Sequence, residues 1–192
     1  MLNIVLFGAP GAGKGTQAVM LASKFGLVHL STGDILRKEI IAGTDLGRQA
    51  QTFTNNGALV PDGVVIDIIR AQIEQNSDAE GFIFDGFPRT IAQAEALDAM
   101  LEEKGMQIAS MIALDVDAEE LVRRLMMRGT VSGRVDDLSM DVIRNRIDMY
   151  HQKTTPVIGY YHAQAKYHAI DGMGGIKNIF ERLCRHVEGF KV

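Results

Sequence analysis

The chain has 192 residues, 46% of them hydrophobic and 23% charged, a balance that suits one globular domain with a sizeable core and excludes a disordered or fibrous chain. A formal net charge of -4 leaves no general basic surface for nucleic acid or anionic membrane, so neither partner is expected. No segment nears the roughly 18 apolar residues of a membrane span, no basic region precedes the first apolar run, and the single Cys184 rules out an internal disulfide or a cysteine zinc cluster; a cytoplasmic location and a core-packing cysteine are expected.

Short apolar runs alternate with longer amphipathic stretches, the pattern of strands and crossover helices in a parallel sheet. The first run, LNIVLF at 2–7, leads into GAPGAGKGT at 8–16. Gly8, four residues, then Gly13 and Lys14 is the spacing of a phosphate-cradling loop. Its glycines let backbone N–H groups converge on phosphate oxygens, the helix opening near Lys14 adds its positive end, and Lys14 supplies a mobile charge. A dinucleotide fingerprint on Gly11 and Gly13 would need glycine where Thr16 stands. The same pattern calls for a magnesium-binding Ser or Thr where the chain has Gly15.

The helix from Lys14 ends at Phe25, before Gly26, a favourable C′ residue. LVHL at 27–30 reads as the second strand. Roughly fifty residues separate it from the third, far more than one crossover helix needs, so an extra subdomain is expected. GDILRKEIIAG, DLGRQAQTFTNNG and DGVVIDIIRAQIEQN read as its helices, with GALVP between the last two. GFIFD at 81–85 is the third strand, which puts Asp85 at the carboxyl edge of the sheet beside the phosphate loop. The stiff turn Gly86, Phe87, Pro88 then aims Arg89 at the same crevice, and Gln93, four residues on, shares that helix face. Thr90 is the expected N-cap of this helix and Gly105 its stop.

IASMIALDV at 108–116 reads as the fourth strand. The helix after Asp117 presents Arg124 and Arg128 at i and i+4, on one face. GTVSGRVDD at 129–137 reads as an irregular, mobile flap, and the next helix, starting near Ser139, is bent or ended by Pro156. YHAID at 167–171 is the fifth strand. The methionines read as core filling and the histidines as structural, since none pairs with a carboxylate at a catalytic or metal spacing.

GAPGAGKGTQ, LSTGDILR, DGFPRT with its trailing Gln93, SGRVDD and RIDMYHQKTTPVIGYY stand in the order and approximate spacing of the adenylate kinases. Over essentially its whole length the chain resembles that family of nucleoside monophosphate kinases. The resemblance implies an α/β P-loop fold of three layers: a five-stranded parallel sheet covered by helices, a helical AMP-binding insertion at 31–60, and a short lid at 129–137, all in one domain. It implies reversible transfer of a phosphoryl group from Mg-ATP to AMP, giving two ADP. Gly11, Ala12, Gly13, Lys14, Gly15 and Thr16 would hold the ATP phosphates, with Arg128 covering the far side and the backbone near Gly174 contacting the ATP adenine. Thr32, Arg37, Ala58, Leu59, Val60, Gly86, Phe87, Pro88, Arg89 and Gln93 would form the AMP site, Gln93 reading the adenine edge. Lys14, Arg89, Arg124, Arg128, Arg134 and Arg146 would converge on the phosphates, Arg134 and Arg146 also serving AMP.

Chemistry supports that roster. Phosphoryl transfer builds charge on equatorial oxygens, and its catalysis is mainly alignment plus fixed positive groups. Arginine stays charged and binds phosphate with a planar fork. Ordinary pairing with Glu119 and Glu120 is the alternative for Arg124 and Arg128, while Arg123 and Arg144 belong to no motif. In the resembled family Gly15 is no defect, because the hydroxyl shifts to Thr16; magnesium would then have no direct protein ligand, and Asp85 would stand in its outer shell. The short flap carries no cysteine, so zinc is not expected. A pyrimidine monophosphate kinase is disfavoured by Thr32 and Gln93. A P-loop switch would have no use for Arg37, Arg89 or the insertion. A monomer acting on ATP, AMP and ADP is the expectation.

Overall fold

A computed structural model of the chain describes residues 1–132 and 135–190. The five apolar runs become β1 (Leu2–Phe7), β2 (Val28–Ser31), β3 (Gly81–Asp85), β4 (Ser110–Asp115) and β5 (Tyr167–Asp171). They form one sheet in the order β2-β3-β1-β4-β5, and every neighbouring pair is parallel. Between them lie α1 (Lys14–Phe25), α2 (Thr32–Ala42), α3 (Asp45–Thr54), α4 (Asp62–Gln75), α5 (Ile91–Glu102), α6 (Ala118–Ser132), α7 (Met140–Met149), α8 (Pro156–Ala163) and α9 (Ile176–Glu188).

Strand side chains alternate between two cores, which is why the runs are mostly apolar. Val5, Phe7, Phe82, Phe84, Met111 and Ala113 join Ile69, Leu97, Val157 and Tyr161 of α4, α5 and α8. On the other face Ile4, Leu6, Ile83, Ile112 and Leu114 meet Leu21 of α1 and Leu183 and Val187 of α9. Each large apolar side chain fully removed from water contributes roughly 1.5–3 kcal/mol, so the three layers hold the strand ends rigidly. Buried Asn3 at the sheet's amino edge is satisfied: it donates to the Gln107 carbonyl at 3.0 Å and accepts from the Phe82 amide at 3.1 Å.

The three-layer α/β fold expected from the sequence is the one observed, and the differences are local. Gly129–Ser132, expected to be irregular, continues α6. A Cβ on Gly129 would lie 2.6 Å from the Asp137 carbonyl oxygen, so glycine is what lets the returning 3-10 turn Val135–Asp137 pack against the helix. Of the two outcomes expected at Pro156, bending or ending the helix, the second is nearer: α7 ends at Met149 and Pro156 begins α8. Lacking an N–H, it cannot bond back along an α-helix, and a π-helical turn, Tyr150–Thr154, precedes it, with the Thr155 amide donating to Tyr150 at 2.8 Å. Among the described residues no helix is long and apolar enough to cross a membrane.

This topology decides where a ligand can sit. The chain leaving β1 crosses to β2 on one side, and the chain leaving β4 goes to β5 on the other, so a crevice opens at the carboxyl ends between them. Into it run the loop after β1, the turn after β3 and the N-terminus of α2.

Candidate active site

The loop 8–13 passes from β1 into α1 through glycines in the left-handed region, Gly11 at φ 89° and Gly13 at φ 94°. A Cβ on Gly11 would stand 2.8 Å from the Leu121 carbonyl oxygen and 3.0 Å from Leu125 Cγ. The loop therefore lies directly on α6 and admits no side chain there. Lys14, Gly15 and Thr16 form the first turn of α1, whose leading N–H groups have no partner within the helix. Half-buried Lys14 bends back over the loop, its ammonium donating to Gly8 at 2.7 Å and Ala9 at 3.0 Å.

Asp85, 8% exposed at the end of β3, faces this turn: its Oδ2 lies 3.4 Å from the place a Gly15 Cβ would take and 3.4 Å from His29 Nε2. His29 is thus paired with a carboxylate after all, through an adjacent strand that sequence spacing could not reveal. As a hard, buried carboxylate at the phosphate loop, Asp85 fits a magnesium ion. Among the described residues no group of three or more His, Cys, Asp or Glu is arranged to hold a metal.

The turn after β3 is built around the Gly86 carbonyl. It accepts from Thr32 Oγ1 at 2.9 Å and from Arg89 Nε at 2.7 Å. Gly86 sits at φ 75°, and a Cβ there would come within 2.9 Å of the Arg89 guanidinium. Phe87 is buried in the core and anchors the turn, and Pro88 beside it is buried as well. Thr90 caps α5 by accepting from the Gln93 amide at 3.2 Å, as its position predicts. Gln93 accepts from the Arg89 amide at 2.8 Å and donates to Asp62 at 2.7 Å.

In the insertion, Ser31 caps α2 and Thr32, 2% exposed, is its first residue. Arg37 curls over Gly33 and donates to Asp34 at 2.5 Å. Ala58 and Leu59 are partly exposed and Val60 is buried. The preceding Gly57 lies against α7, where a Cβ would meet Arg146 Cγ at 2.9 Å and the Val142 carbonyl at 3.0 Å, and Asn145 donates to the Asn56 carbonyl.

The described arginines close the far wall. Arg124 donates to Ala12 in the phosphate loop at 3.3 Å and to Gly172 after β5 at 3.0 Å, stapling the two loops. It also pairs with Glu120, as does Arg123, so the ordinary pairing expected as the alternative is present. The two guanidiniums bring the Glu120 carboxyl down to about 2. Arg128 grips Asp137 with both arms, at 2.5 and 3.0 Å; Arg146 reaches the same carboxylate at 2.5 Å and Asp136 at 2.9 Å. Burial pushes the Asp137 carboxyl up, but Arg128 and then Arg146 outweigh it and hold the group below its usual value. Arg144 lies on a solvated face near Asp141. Arg134 lies outside the described residues. Gly174, exposed at φ 99°, belongs to a loop tied by Arg182, which donates to Asp171 and Met173 at 2.9 and 2.7 Å.

These cations act on one another. Burial lowers Lys14 to about 8; Asp85 counters this, while Arg89, Arg146 and Arg128 add to it. Burial likewise lowers Arg89, with Arg146 the largest charge acting in the same sense. A half-buried cluster of mutually repelling cations is suited to a polyanion. Asp62, Asp136, Asp137, Glu120 and Arg182 are absent from the sequence-derived roster. Asp136 and Asp137 stand inside the SGRVDD motif and Glu120 lies four residues before Arg124, whereas Asp62 and Arg182 carried no signal.

A model of the adenylate kinase family matches residues 6–166. The adenylate kinase of Flavobacterium psychrophilum is 52% identical over 183 residues, 95% of this chain and 96% of that one. The adenylate kinase of Parabacteroides distasonis is 48% identical over 191 residues, the full length of both chains. That of Flavobacterium johnsoniae is 51% identical over 188 residues, 98% of this chain and 99% of the relative.

Proposed function

Because the chain belongs to the adenylate kinase family, and is on that ground an ATP:AMP phosphotransferase that converts ATP and AMP to two ADP, we propose that the crevice described above is where it does so. The observation that carries this reading is the meeting of Lys14, Asp85, Arg89 and Arg146 at the carboxyl ends of adjacent strands, close enough for each to act on the charge of Lys14.

The backbone of 11–16 holds the donor phosphates, and Lys14 leaves the Gly8 and Ala9 carbonyls to follow the transferred group. Arg37 and Arg89 hold the acceptor phosphate in line with it. Arg124 spans donor phosphates and adenine loop, where Gly174 lies. Arg128, Arg134 and Arg146 stabilise charge on the equatorial oxygens, the first and last exchanging Asp137 for phosphate. No side chain attacks; the acceptor phosphate oxygen is the nucleophile, so the enzyme's work is alignment and fixed charge. Thr32 and the backbone of Ala58, Leu59 and Val60 line the acceptor base pocket, and the Gln93 amide reads the base. Magnesium, which the family uses with ATP, would be carried by phosphates and water beside Asp85 and would screen phosphate charge. The insertion 31–60 and the flap 129–137 close over both substrates and keep water from the transferred group.

A coupled assay with ATP and a panel of monophosphates tests the substrate assignment. AMP is expected to give the highest kcat/KM; CMP or UMP matching it would overturn the choice, and no transfer to any acceptor would favour a nucleotide switch. The reading extends to a monomer in the cytoplasm by likeness to the family, and sedimentation giving a mass well above 21.0 kDa would refute the monomer.

A further inference from the structure

The Gln93 amide is held at both ends. Its Oε1 accepts from the Arg89 amide at 2.8 Å, and its Nε2 donates to Asp62 Oδ1 at 2.7 Å. The second Asp62 oxygen accepts from Thr90 Oγ1 at 2.9 Å, and that hydroxyl accepts from the Gln93 backbone N–H at 3.2 Å. A closed polar ring thus links the first residue of α4 to the N-cap of α5, with Gln93 only 2% exposed.

This ring decides the sense of the amide. A carboxylate only accepts and a backbone N–H only donates. Turning the Gln93 amide over would set oxygen against oxygen at Asp62 and N–H against N–H at Arg89. One N–H and one oxygen lone pair remain for a ligand. The pairing edge of adenine offers an acceptor at N1 beside an amino donor at N6, whereas a 6-oxopurine offers a donor at N1 beside an acceptor at O6. An amide held in one sense can match the first edge and oppose the second; one free to turn serves either.

We propose that Asp62 is a positioning residue that makes the acceptor site adenine-selective, by holding the Gln93 amide against the turn that would admit a 6-oxopurine monophosphate. The inference rests on Gln93 being the side chain that reads the acceptor base. Asp62 itself touches no substrate. It stands 31 residues before Gln93, outside the motifs that carry the family resemblance, so nothing local in the sequence marks it.

The test compares kcat/KM for AMP and for inosine monophosphate at saturating Mg-ATP. Asp62→Ala is expected to narrow the AMP preference about tenfold or more, because a partly buried hydrogen bond to a charged group is lost. Asp62→Ser serves the same test if the alanine variant melts before assay: its hydroxyl both donates and accepts, so it does not enforce one sense, and the preference narrows there as well. A prop that merely supports the fold would lower activity toward both acceptors alike; an unchanged AMP to inosine monophosphate ratio in either folded variant therefore overturns the inference. Gln93→Leu separates the two layers. If it leaves kcat/KM for AMP intact, Gln93 does not read the base and the premise fails. If it lowers that value while the Asp62 variants keep the wild-type ratio, the premise stands and the role of Asp62 alone is lost.

Discussion

Lys14 shows how a single residue can trade stability for function. Its proton affinity falls from 10.5 to about 8, so the folded chain holds this proton less tightly than the unfolded chain does. Between about pH 8 and 10.5 the unfolded state binds more protons, and stability rises with pH across that window; below about 8 the penalty is full, up to about 3 kcal/mol. Lys14→Met should therefore raise the melting temperature at pH 7 while nearly abolishing transfer, and calorimetric melting beside the coupled assay checks both. Nucleotide phosphates restore the ordinary proton affinity of the amine, so binding at pH 8.5 should take up a fraction of a proton, seen by titration calorimetry in buffers of different ionisation enthalpy. On the proposed reading, Arg89→Ala removes charge that matters most in the transition state. A fall in kcat of roughly 10²–10³-fold is expected, with the Kd for ATP little changed; an unchanged kcat would refute the role. Lys14 and Arg89 were readable because their motifs are local, a strand end followed by a stereotyped turn. Asp62 was not, because its partners are met through the packing of α4 on α5.

At the scale of elements, the contact between the insertion and α7 is the one with a measurable consequence. Gly57 stands at φ 69° with α7 against it, so a methyl group has neither the backbone conformation nor the space. Gly57→Ala should push the loop carrying Ala58, Leu59 and Val60 away from Arg146, at a cost of about 1–3 kcal/mol. The KM for AMP is expected to rise at least several-fold while the KM for ATP stays near wild type; equal changes in both would mean that the contact does not belong to the acceptor site. Strand positions were legible because covered parallel strands are largely apolar on both faces, and the caps because Gly26 takes a left-handed conformation and the Thr90 hydroxyl accepts a helix N–H. The extension of α6 through Gly129 was not, since glycine argues locally for a break and only the approach of Asp137 explains its presence in a helix.

Across the molecule, a net charge of -4 surrounds a crevice walled by arginines, so bulk charge said nothing of the ligand while residue clustering did. Attraction of nucleotides to that crevice is screened by salt; KM for both substrates should climb between low and physiological ionic strength with kcat nearly constant. Closure of the insertion and flap predicts slower hydrogen exchange in both segments when a bisubstrate analogue binds, and unchanged exchange would count against it. The order of strands was beyond the sequence, because apolar runs of similar composition do not encode their neighbours. Likeness to a known family implied five parallel strands but not their order.

β1 runs through the middle of the sheet, bonded along both edges, and the phosphate loop is its direct continuation. Segments of that kind come apart only with the whole fold, whereas peripheral helices open at lower cost. Warming should therefore dissolve the catalytic cycle in stages. Acceptor capture through α2 and α3 fails first and reversibly, and the donor cradle outlasts it up to the melting transition. Followed by binding of a non-hydrolysable ATP analogue and by AMP turnover in one thermal ramp, the protein should pass through a window in which it still holds a donor but has lost the means to spend it.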